Sequence, residues 1–486
     1  MPDVQTGSAS ADGLATSRLS RGVRLGGLAA KQTLRRVTIK AGSIVISEDR
    51  RIQMVDQANE RMARDFVAVL GQMRGAAMKI GQLLSVVDLG LVSRRSRDAF
   101  RRQLSQLQGS INAMPFESMR PVIETELGAP VERLFASFDT DAFAAASIGQ
   151  VYRAVTHDGR DVAVKVQYPG VRPAVRADLK NLALFLRMWK SQISTAVATE
   201  LLDEITEGLS RELDYIQECA SQARVAQRYE GHPFIYVPPP VAELSSASVL
   251  TTKYVEGMSA KEVQRLPAAE RDRVGEIIYR FYVGSLFHDC EFNGDAHPGN
   301  FLYMRDGRVA FLDFGLYKRM NADAVEFERR GAQLCIAGDG DGLRALMEEQ
   351  GVLRPDSSVS AQDCLEYALD AAGWNFIDDY VVVRPIDVSA ALLGVLHPAS
   401  KSFKTMRSAH PPPEHLFSRR LDFLLFGTLG HLGAGGNWYR VAAEWIHGAE
   451  PVTELGRAER QCRRPLRADT SDTKNNVGHT VTDNAG

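Results

Sequence analysis

Three side chains between positions 293 and 315 have the types and spacing that metal-assisted chemistry needs. Asp295 and Asn300 lie in the segment N-G-D-A-H-P-G-N, and Asp313 opens the tripeptide D-F-G. Magnesium prefers hard oxygen ligands, so the amide oxygen of Asn300 and the carboxylate of Asp313 would suit it. A further carboxylate, that of Asp295, is of the type that accepts the proton of an attacking hydroxyl group. Together these residues indicate a phosphoryl-transfer centre.

The order of these residues matches the order of parts in a kinase. Asp295 and Asn300 have the D-x-x-x-x-N spacing of a catalytic loop, and Asp313 stands where kinases place their chief magnesium-binding carboxylate. The residues R-D-G-R at 305–308 predict a hairpin turn between two short apolar strands. A polar turn before a buried strand would account for D-F-G alone. Loop, hairpin and carboxylate in this order favour a catalytic site.

A lysine strand and a small-residue loop precede this segment. Val162–Lys165 reads V-A-V-K and differs from the kinase strand V-A-I-K only at its third letter. The segment 144–151 fits the template G-x-G-x-x-G-x-V with alanines at the first two glycine positions. We predict that Lys165 meets the α and β phosphates of a nucleotide. The loop residues predicted to bind that nucleotide are Ala144, Ala145, Ala146, Ser147, Gly149 and Val151.

The lysine of such a site is held by a glutamate from a neighbouring helix. The sequence predicts two helices between 172 and 229, the second beginning near Glu200. That helix carries Glu212 and Glu218, which stand six positions apart and so cannot share a face. One of them is expected to pair with Lys165 while the other points away. The residues alone leave open which one pairs.

A predicted hinge follows the apolar strand Val249–Thr252. The segment Lys253–Gly257 would connect two lobes, and its backbone at Lys253 and Val255 is predicted to contact an adenine.

Composition sets broad limits on the protein. With 486 residues, 44% hydrophobic and 24% charged, two or three structural units are expected. A formal net charge of −2 argues against bulk nucleic-acid binding. The five cysteines form no C-x-x-C pair, which favours a reducing, cytoplasmic setting over a disulfide or zinc framework. We see no membrane-length apolar span and no secretory signal, although peripheral membrane contact stays open.

The chain divides into five predicted segments. Residues 1–45 form a flexible basic arm, interpreted as a solvated leader or as a contact for acidic lipid headgroups. Residues 46–115 form a helical extension, 116–257 a first lobe with a helical insertion, 258–449 a mostly helical second lobe, and 450–486 a disordered tail.

Taken together, these motifs resemble the UbiB and AarF-domain (ADCK) family of atypical kinases, some of which support ubiquinone biosynthesis. The resemblance covers about 48–447. Its marks are K-I-G-Q at 79–82, the alanine-rich loop, the lysine strand and E-L-D at 212–214. The family commonly has His where this chain has Asn293 and an acidic residue where it has Lys253.

The resemblance implies an α+β, two-lobed protein-kinase-like fold that binds ATP and Mg²⁺. It makes Glu218 the partner of Lys165, Asp295 the catalytic aspartate, and Asn300 and Asp313 the metal ligands. It also implies that the K-x-G-Q segment folds over the site. The residues that it gives this regulatory role are Lys79, Gln82, Glu212 and Asp214.

The leading hypothesis is therefore an ATP-binding atypical kinase or ATPase, linked to lipid or isoprenoid-quinone metabolism. ATP, ADP, a lipid or quinone precursor and an anionic membrane are its expected partners, and nucleic acid is not. One alternative is a small-molecule kinase resembling aminoglycoside and choline phosphotransferases, whose H-G-D-x-H-x-x-N loop is similar. Another is a pseudokinase whose bound nucleotide only shapes a partner surface.

The alanine-rich loop yields a prediction about nucleotide selection. Alanine at 144 and 146 restricts the backbone relative to glycine, so the loop should stand further from a third phosphate. We expect the protein to discriminate poorly between ATP and ADP or to favour ADP, and Ala144→Gly with Ala146→Gly to raise relative ATP affinity modestly. Ordering each added glycine would offset the gain by roughly 0.5–1 kcal/mol. Calorimetric titration with both nucleotides measures the ratio, and an unchanged or lower ATP-to-ADP ratio would contradict the prediction.

Overall fold

The structure is a computed structural model of the chain. It describes residues 113–145, 148–188, 206, 208–396, 402, 405, 408, 409 and 413–462. The predicted basic arm, the helical extension as far as 112, and the loop residues Ala146 and Ser147 lie outside the described residues. Lys79 and Gln82 fall within that extension.

An antiparallel sheet forms the N-terminal lobe. Helices α1 (Phe116–Leu127) and α2 (Val131–Leu134) precede it, and its strands are β1 (Ser137–Phe138), β2 (Ala144–Ala145), β3 (Gly149–Val155), β4 (Asp161–Gln167) and β6 (Val249–Lys253). Strand β3 pairs with β1, β2 and β4, and β4 pairs in turn with β6. The predicted lysine strand thus lies in the middle of the sheet.

Alternation along β4 decides where its side chains point. Val162, Val164 and Val166 are fully buried on one face. Because successive strand residues face opposite sides, Lys165 points away from that core.

The helices after β4 differ from the prediction in one respect. Helix α3 spans Val171–Met188, residues 208–212 are helical, and α4 spans Tyr215–Arg228. The predicted continuous helix from Glu200 is therefore wrong, because the chain breaks at 213–214. Asp214 leaves helical geometry with φ −104° and ψ 80°, and its side chain accepts from the N–H of Gln217 at 3.0 Å. Aspartate favours this N-cap position over a helix interior, so it starts a new helix.

The C-terminal lobe is mostly helical. Its helices are α5 (Ala260–Val263), α6 (Ala268–Tyr279), a π-helical turn (Arg280–Gly284), α7 (Ser285–Asp289), α8 (Ala322–Ala337), α9 (Gly340–Glu349), α10 (Ala361–Ala372), α11 (Pro385–Leu396), α12 (Pro413–Leu432), α13 (Trp438–Ile446) and α14 (Glu454–Cys462). Within the described residues, no helix is both long enough and apolar enough to span a bilayer.

Short strands hold the predicted catalytic segment. They are β5 (Ile235–Tyr236), β7 (Glu291–Asn293), β8 (Phe301–Tyr303), β9 (Val309–Phe311), β10 (Tyr317–Arg319), β11 (Val381–Val382) and β12 (Gly435–Gly436). The predicted hairpin is confirmed as β8 paired antiparallel with β9, and β5 adds a parallel strand. Strand β7 pairs with β10, so the loop between β7 and β8 is fixed at both ends.

A buried arginine ties the last helix to this lobe. Arg280 is fully buried and donates to Glu276 at 2.7 Å, to both carboxylate oxygens of Glu444 at 2.7 and 3.0 Å, and to Glu459 at 3.0 Å. Glu459 belongs to α14, whose Leu455 also enters the main core. The prediction of disorder from position 450 onward is therefore wrong for 450–462. Burial and ion pairing order this segment despite its polar composition.

Loss of this arginine should destabilise the lobe strongly. Arg280→Met keeps much of the apolar stem but leaves three carboxylates around a buried site with no compensating charge. We expect the free energy of unfolding in urea to fall by about 3–5 kcal/mol.

The matched control is Arg440→Met. Arg440 pairs with Asp378 at 2.7 Å, but the two side chains are 54% and 47% exposed. Water and salt screen such an exposed pair, so this change should be nearly neutral. Equal losses in the two variants would show that burial does not set the strength of the Arg280 contacts.

Candidate active site

Lys165 and Glu218 form an ion pair between the sheet and α4. The Lys165 Nζ lies 3.0 and 3.2 Å from the two carboxylate oxygens of Glu218. The lysine side chain is 20% exposed and that of the glutamate 1%, so water screens the contact weakly. The predicted contact is present, and Glu218 is the carboxylate that makes it.

Burial shapes the titration of both partners. It raises the pKa of Glu218 to about 7, against the lowering influence of Lys165. Burial also acts to lower the pKa of Lys165, but attraction to Glu218 and Asp313 outweighs it and holds that pKa well above its usual value. The lysine therefore keeps its charge at neutral pH and offers a fixed cation to an anionic ligand.

Asp313 joins the pair from the other lobe. Its Oδ2 lies 3.7 Å from the Lys165 Nζ, and its Oδ1 accepts from the N–H of Gly315 at 3.0 Å. The amide of Gly315 thus fixes the rotation of this carboxylate. The structure brings together a lysine and two carboxylates that lie far apart in the sequence.

The predicted catalytic loop is held by hydrogen bonds to its own backbone. The carbonyl of Asp295 accepts from the hydroxyl of Tyr282 at 3.1 Å and from the side-chain amide of Asn300 at 3.1 Å. Since the Asn300 nitrogen is committed to this bond, its amide oxygen is the end that faces away from Asp295. That oxygen is the atom a metal would need.

Asn293 links this loop to the D-F-G segment. Its side-chain oxygen accepts from the N–H of Asp295 at 3.0 Å, and its side-chain nitrogen donates to the carbonyl of Asp313 at 2.5 Å. The residue is 1% exposed. An amide has a donor and an acceptor at neighbouring atoms, so one side chain fixes both carboxylate-bearing segments. The sequence marked this position only as a departure from the family pattern.

Tyr215 is a residue of the site that the sequence did not single out. It follows the N-cap of α4, is fully buried, and places its ring 4.9 Å from the Lys165 Nζ. Such a cation–π contact stabilises the lysine charge further. Its hydroxyl oxygen has no hydrogen-bond partner among the described residues. Burial raises the pKa of this phenol well above its usual value, so it stays protonated. No motif in the sequence signals this role.

The two acidic residues upstream of α4 behave differently from each other. Asp214 caps the helix. Glu212 is 8% exposed, and its charge acts on both Lys165 and Glu218. Glu218 is the carboxylate that pairs with Lys165, and the break before α4 removes the single continuous helix on which the six-residue spacing argument relied.

The described part of the alanine-rich loop is closely paired with β3. Ala144 lies opposite Val151, and Ala145 opposite Gln150. Val151 in turn faces Lys165 across β3 and β4. A Cβ at Gly149 would lie 2.2 Å from the carbonyl oxygen of Val166, so only glycine fits there.

Gln150 anchors the start of β3 to the segment before α1. Its side-chain oxygen accepts from the N–H of Met114 at 2.8 Å, and its nitrogen donates to the Met114 carbonyl at 3.0 Å. The side chain is fully buried. The sequence analysis missed this contact, which joins the end of the N-terminal extension to the loop.

Two backbone N–H groups of the predicted hinge already donate hydrogen bonds within the protein. The N–H of Lys253 donates to the carbonyl of Pro239 at 2.9 Å, and that of Tyr254 donates to Asp161 at 3.0 Å. The side chain of Lys253 is exposed. The Lys253 N–H is therefore already used and is not available to an adenine. Among the described residues, the N–H of Val255 makes no such backbone hydrogen bond, so Val255 is the better placed of the two predicted hinge contacts.

The oxygens present suit a hard cation better than a transition metal. Within the described ranges, no group of three or more His, Cys, Asp or Glu residues is assembled as a metal site. Asp313 and Asn300 supply a carboxylate and an amide oxygen. Magnesium commonly uses one or two protein ligands together with the phosphates of its substrate, and this pair fits that pattern.

The bridge made by Asn293 gives a prediction about stability. Asn293→Asp keeps the shape and the acceptor for Asp295 but replaces the donor that meets the Asp313 carbonyl with an oxygen. We expect the free energy of unfolding to fall by about 1–3 kcal/mol. Chemical denaturation measures it.

Asn321→Asp is the matched control for this change. Asn321 caps α8 and accepts from the N–H of Ala324 at 2.7 Å, a task that a carboxylate also performs. Asn321→Asp should therefore leave the free energy of unfolding nearly unchanged. If Asn293→Asp also left the free energy of unfolding unchanged, the hydrogen bond from Asn293 to the Asp313 carbonyl would add nothing to stability.

Comparison with known proteins places this geometry in a family. Residues 106–345 match the family model of the ABC1 atypical kinase-like domain. The chain is 33% identical over 342 residues to "Atypical kinase COQ8B, mitochondrial" of Rattus norvegicus, with 69% of this chain and 62% of the relative covered. It is 32% identical over 322 residues to "Probable serine/threonine-protein kinase abkA" of Dictyostelium discoideum, with 63% and 55% covered. The chain thus spans less than two thirds of the length of these curated relatives.

A solved structure supports the same assignment. "The complex structure of Rv3197-erythromycin from Mycobacterium tuberculosis" superposes with a TM-score of 0.59 and 27% identity, covering 82% of this chain and 98% of that one. The two-lobed, kinase-like α+β fold predicted from the sequence is confirmed. Residues 106–345 therefore belong to the ABC1 atypical kinase-like domains, the family of the UbiB and AarF proteins.

Proposed function

We propose that this kinase-like chain binds Mg-ATP between its lobes and acts as an atypical kinase or ATPase linked to lipid or isoprenoid-quinone metabolism. The observation that carries the proposal is the arrangement around Lys165. Its Nζ lies 3.0 Å from Glu218 and 3.7 Å from Asp313, so one cation connects the sheet, α4 and the D-F-G segment. A kinase needs these groups in register to bind phosphates.

The proposed roles follow from the contacts of each side chain. Lys165 binds the α and β phosphates, and Glu218 with the ring of Tyr215 holds the lysine in place. Asp313 and Asn300 would hold Mg²⁺, which when bound offsets the charge of the phosphates. Asp295 is proposed as the base.

Asp295 is held well for that task. It is 6% exposed, and its backbone N–H and carbonyl are both tied down by neighbouring side chains. A base positioned this way accepts a proton from a hydroxyl group without first having to be ordered.

The loop and hinge are proposed to bind the rest of the nucleotide. The described loop residues Ala144, Ala145, Gly149 and Val151 would lie over the phosphates, and the backbone of Val255 would meet the adenine. Lys79 and Gln82 are proposed to cover the site near Glu212 and Asp214, as the family resemblance implies. The basic residues within 1–45 are the proposed contact for an anionic membrane surface.

Asp313→Asn tests the proposal directly. It removes one negative charge from the pair of ligands proposed for a divalent cation, so we expect Mg-ATP to stop raising the melting temperature. Phosphate release from ATP, measured with and without anionic liposomes, should be lost as well.

Asp323→Asn is the control, since Asp323 is an exposed residue in the first turn of α8. It should keep the full Mg-ATP shift. An unchanged shift in Asp313→Asn would remove Asp313 from the site. If Mg-ATP raised the melting temperature of the wild-type protein but the protein released no phosphate, a nucleotide-binding pseudokinase would be favoured over an enzyme.

A further inference from the structure

Two side chains of the N-terminal lobe donate to the backbone carbonyl at the break before α4. The Nη2 of Arg172, in the first turn of α3, lies 2.8 Å from the carbonyl oxygen of Leu213. The Nε2 of Gln167, the last residue of β4, lies 3.0 Å from the same oxygen. Both side chains also donate to the carbonyl of Ala247, and the Nε of Arg172 donates to the Oε1 of Gln167 at 3.2 Å. Gln167 and Arg172 together form a carbonyl clamp.

The clamped carbonyl is one half of a hydrogen bond that a continuous helix would contain. In an α-helix the carbonyl of Leu213 would accept from the N–H of Gln217, four positions further on. In the structure that N–H donates instead to the side chain of Asp214 at 3.0 Å, and the carbonyl accepts from the clamp. The cap and the clamp therefore replace the two halves of the missing bond, and neither group is left unpaired.

The break decides the direction of α4. Asp214 has ψ 80°, whereas a helical residue has ψ of about −42°. The residues on both sides have helical periodicity, so a continuous helix is the competing arrangement. Closing the break would reorient α4 relative to the helical segment at 208–212. Glu218 lies in the first turn of α4 and meets Lys165 at 3.0 Å, so that reorientation would separate the two side chains.

We propose that Gln167 and Arg172 are positioning residues that keep this helix broken and so hold Glu218 against Lys165. Gln167 follows Lys165 by two positions on β4, so the strand that carries the lysine also fixes the backbone that presents its partner. The expected effect on Mg-ATP binding rests on the proposed function. The effect on the backbone does not, and the two are measured separately.

Hydrogen exchange at Ile216 tests the clamp without nucleotide. Among the described residues its N–H makes no backbone hydrogen bond, whereas in a continuous helix it would donate to the carbonyl of Glu212. Arg172→Met removes donors from Leu213, so exchange at Ile216 in the full chain should slow by roughly tenfold or more, as measured by mass spectrometry with residue-level fragmentation. General destabilisation would instead speed this exchange. Arg176→Met alters an exposed residue of the same helix and should leave the rate unchanged.

Calorimetric titration with Mg-ATP tests the consequence for the site. Arg172→Met should weaken binding roughly fivefold or more, because Lys165 loses the carboxylate that holds it. Adding Ile216→Pro should restore most of the affinity. Proline is tolerated in the first turn of a helix but not in its interior, so Ile216→Pro fits the broken arrangement and excludes the continuous one.

The outcomes separate the clamp from the proposed function. Unchanged or faster exchange at Ile216 in Arg172→Met, or a loss of affinity that Ile216→Pro does not restore, would overturn the proposal. Arg172→Lys keeps the charge but lacks the planar fork, so it provides the same test where Arg172→Met does not fold. If the wild-type protein bound no Mg-ATP while Arg172→Met still slowed the exchange, the proposed function would fail and the clamp would be supported.

Discussion

The site depends on keeping a lysine charged inside the protein. A buried cation is unfavourable unless opposite charges lie close to it, and Lys165 has Glu218 at 3.0 Å, Asp313 at 3.7 Å and the ring of Tyr215 at 4.9 Å. These partners come from α4 and from the D-F-G segment of the other lobe. The position of the lysine therefore requires both lobes and the start of α4 to be in place at once.

The start of α4 is set by a single capping contact. Asp214 ends the preceding helical segment and accepts from the N–H of Gln217, so Tyr215 and Glu218 fall in the first turn. A helix that ran on through this point would carry Glu218 on a different face from Glu212. The break places aromatic and acidic groups around one ammonium, and local backbone chemistry thereby decides the electrostatics of the cleft.

The sequence was informative wherever spacing and periodicity reflect local structure. The match of V-A-V-K to a kinase strand predicted β4, and the turn at 305–308 predicted the β8–β9 hairpin. Prediction from the sequence failed at Asp214, because the residues on both sides of this N-cap have helical periodicity. It also failed at 450–462, because the polar composition indicated disorder where Arg280 stabilises a helix. Contacts such as those of Gln150 with Met114 join residues distant in sequence, and no local pattern encodes them. The roles of the site residues stay predictions.

The buried arginine also has a consequence for the order in which the chain can fold. Arg280 has Glu276 one turn away, but Glu444 and Glu459 follow it by 164 and 179 positions. During synthesis, the cation emerges long before the carboxylates that balance it, while domains generally fold as units. Contacts between such distant positions also form slowly, because a long loop must close first. The C-terminal lobe can therefore complete its core only after α14 has left the ribosome.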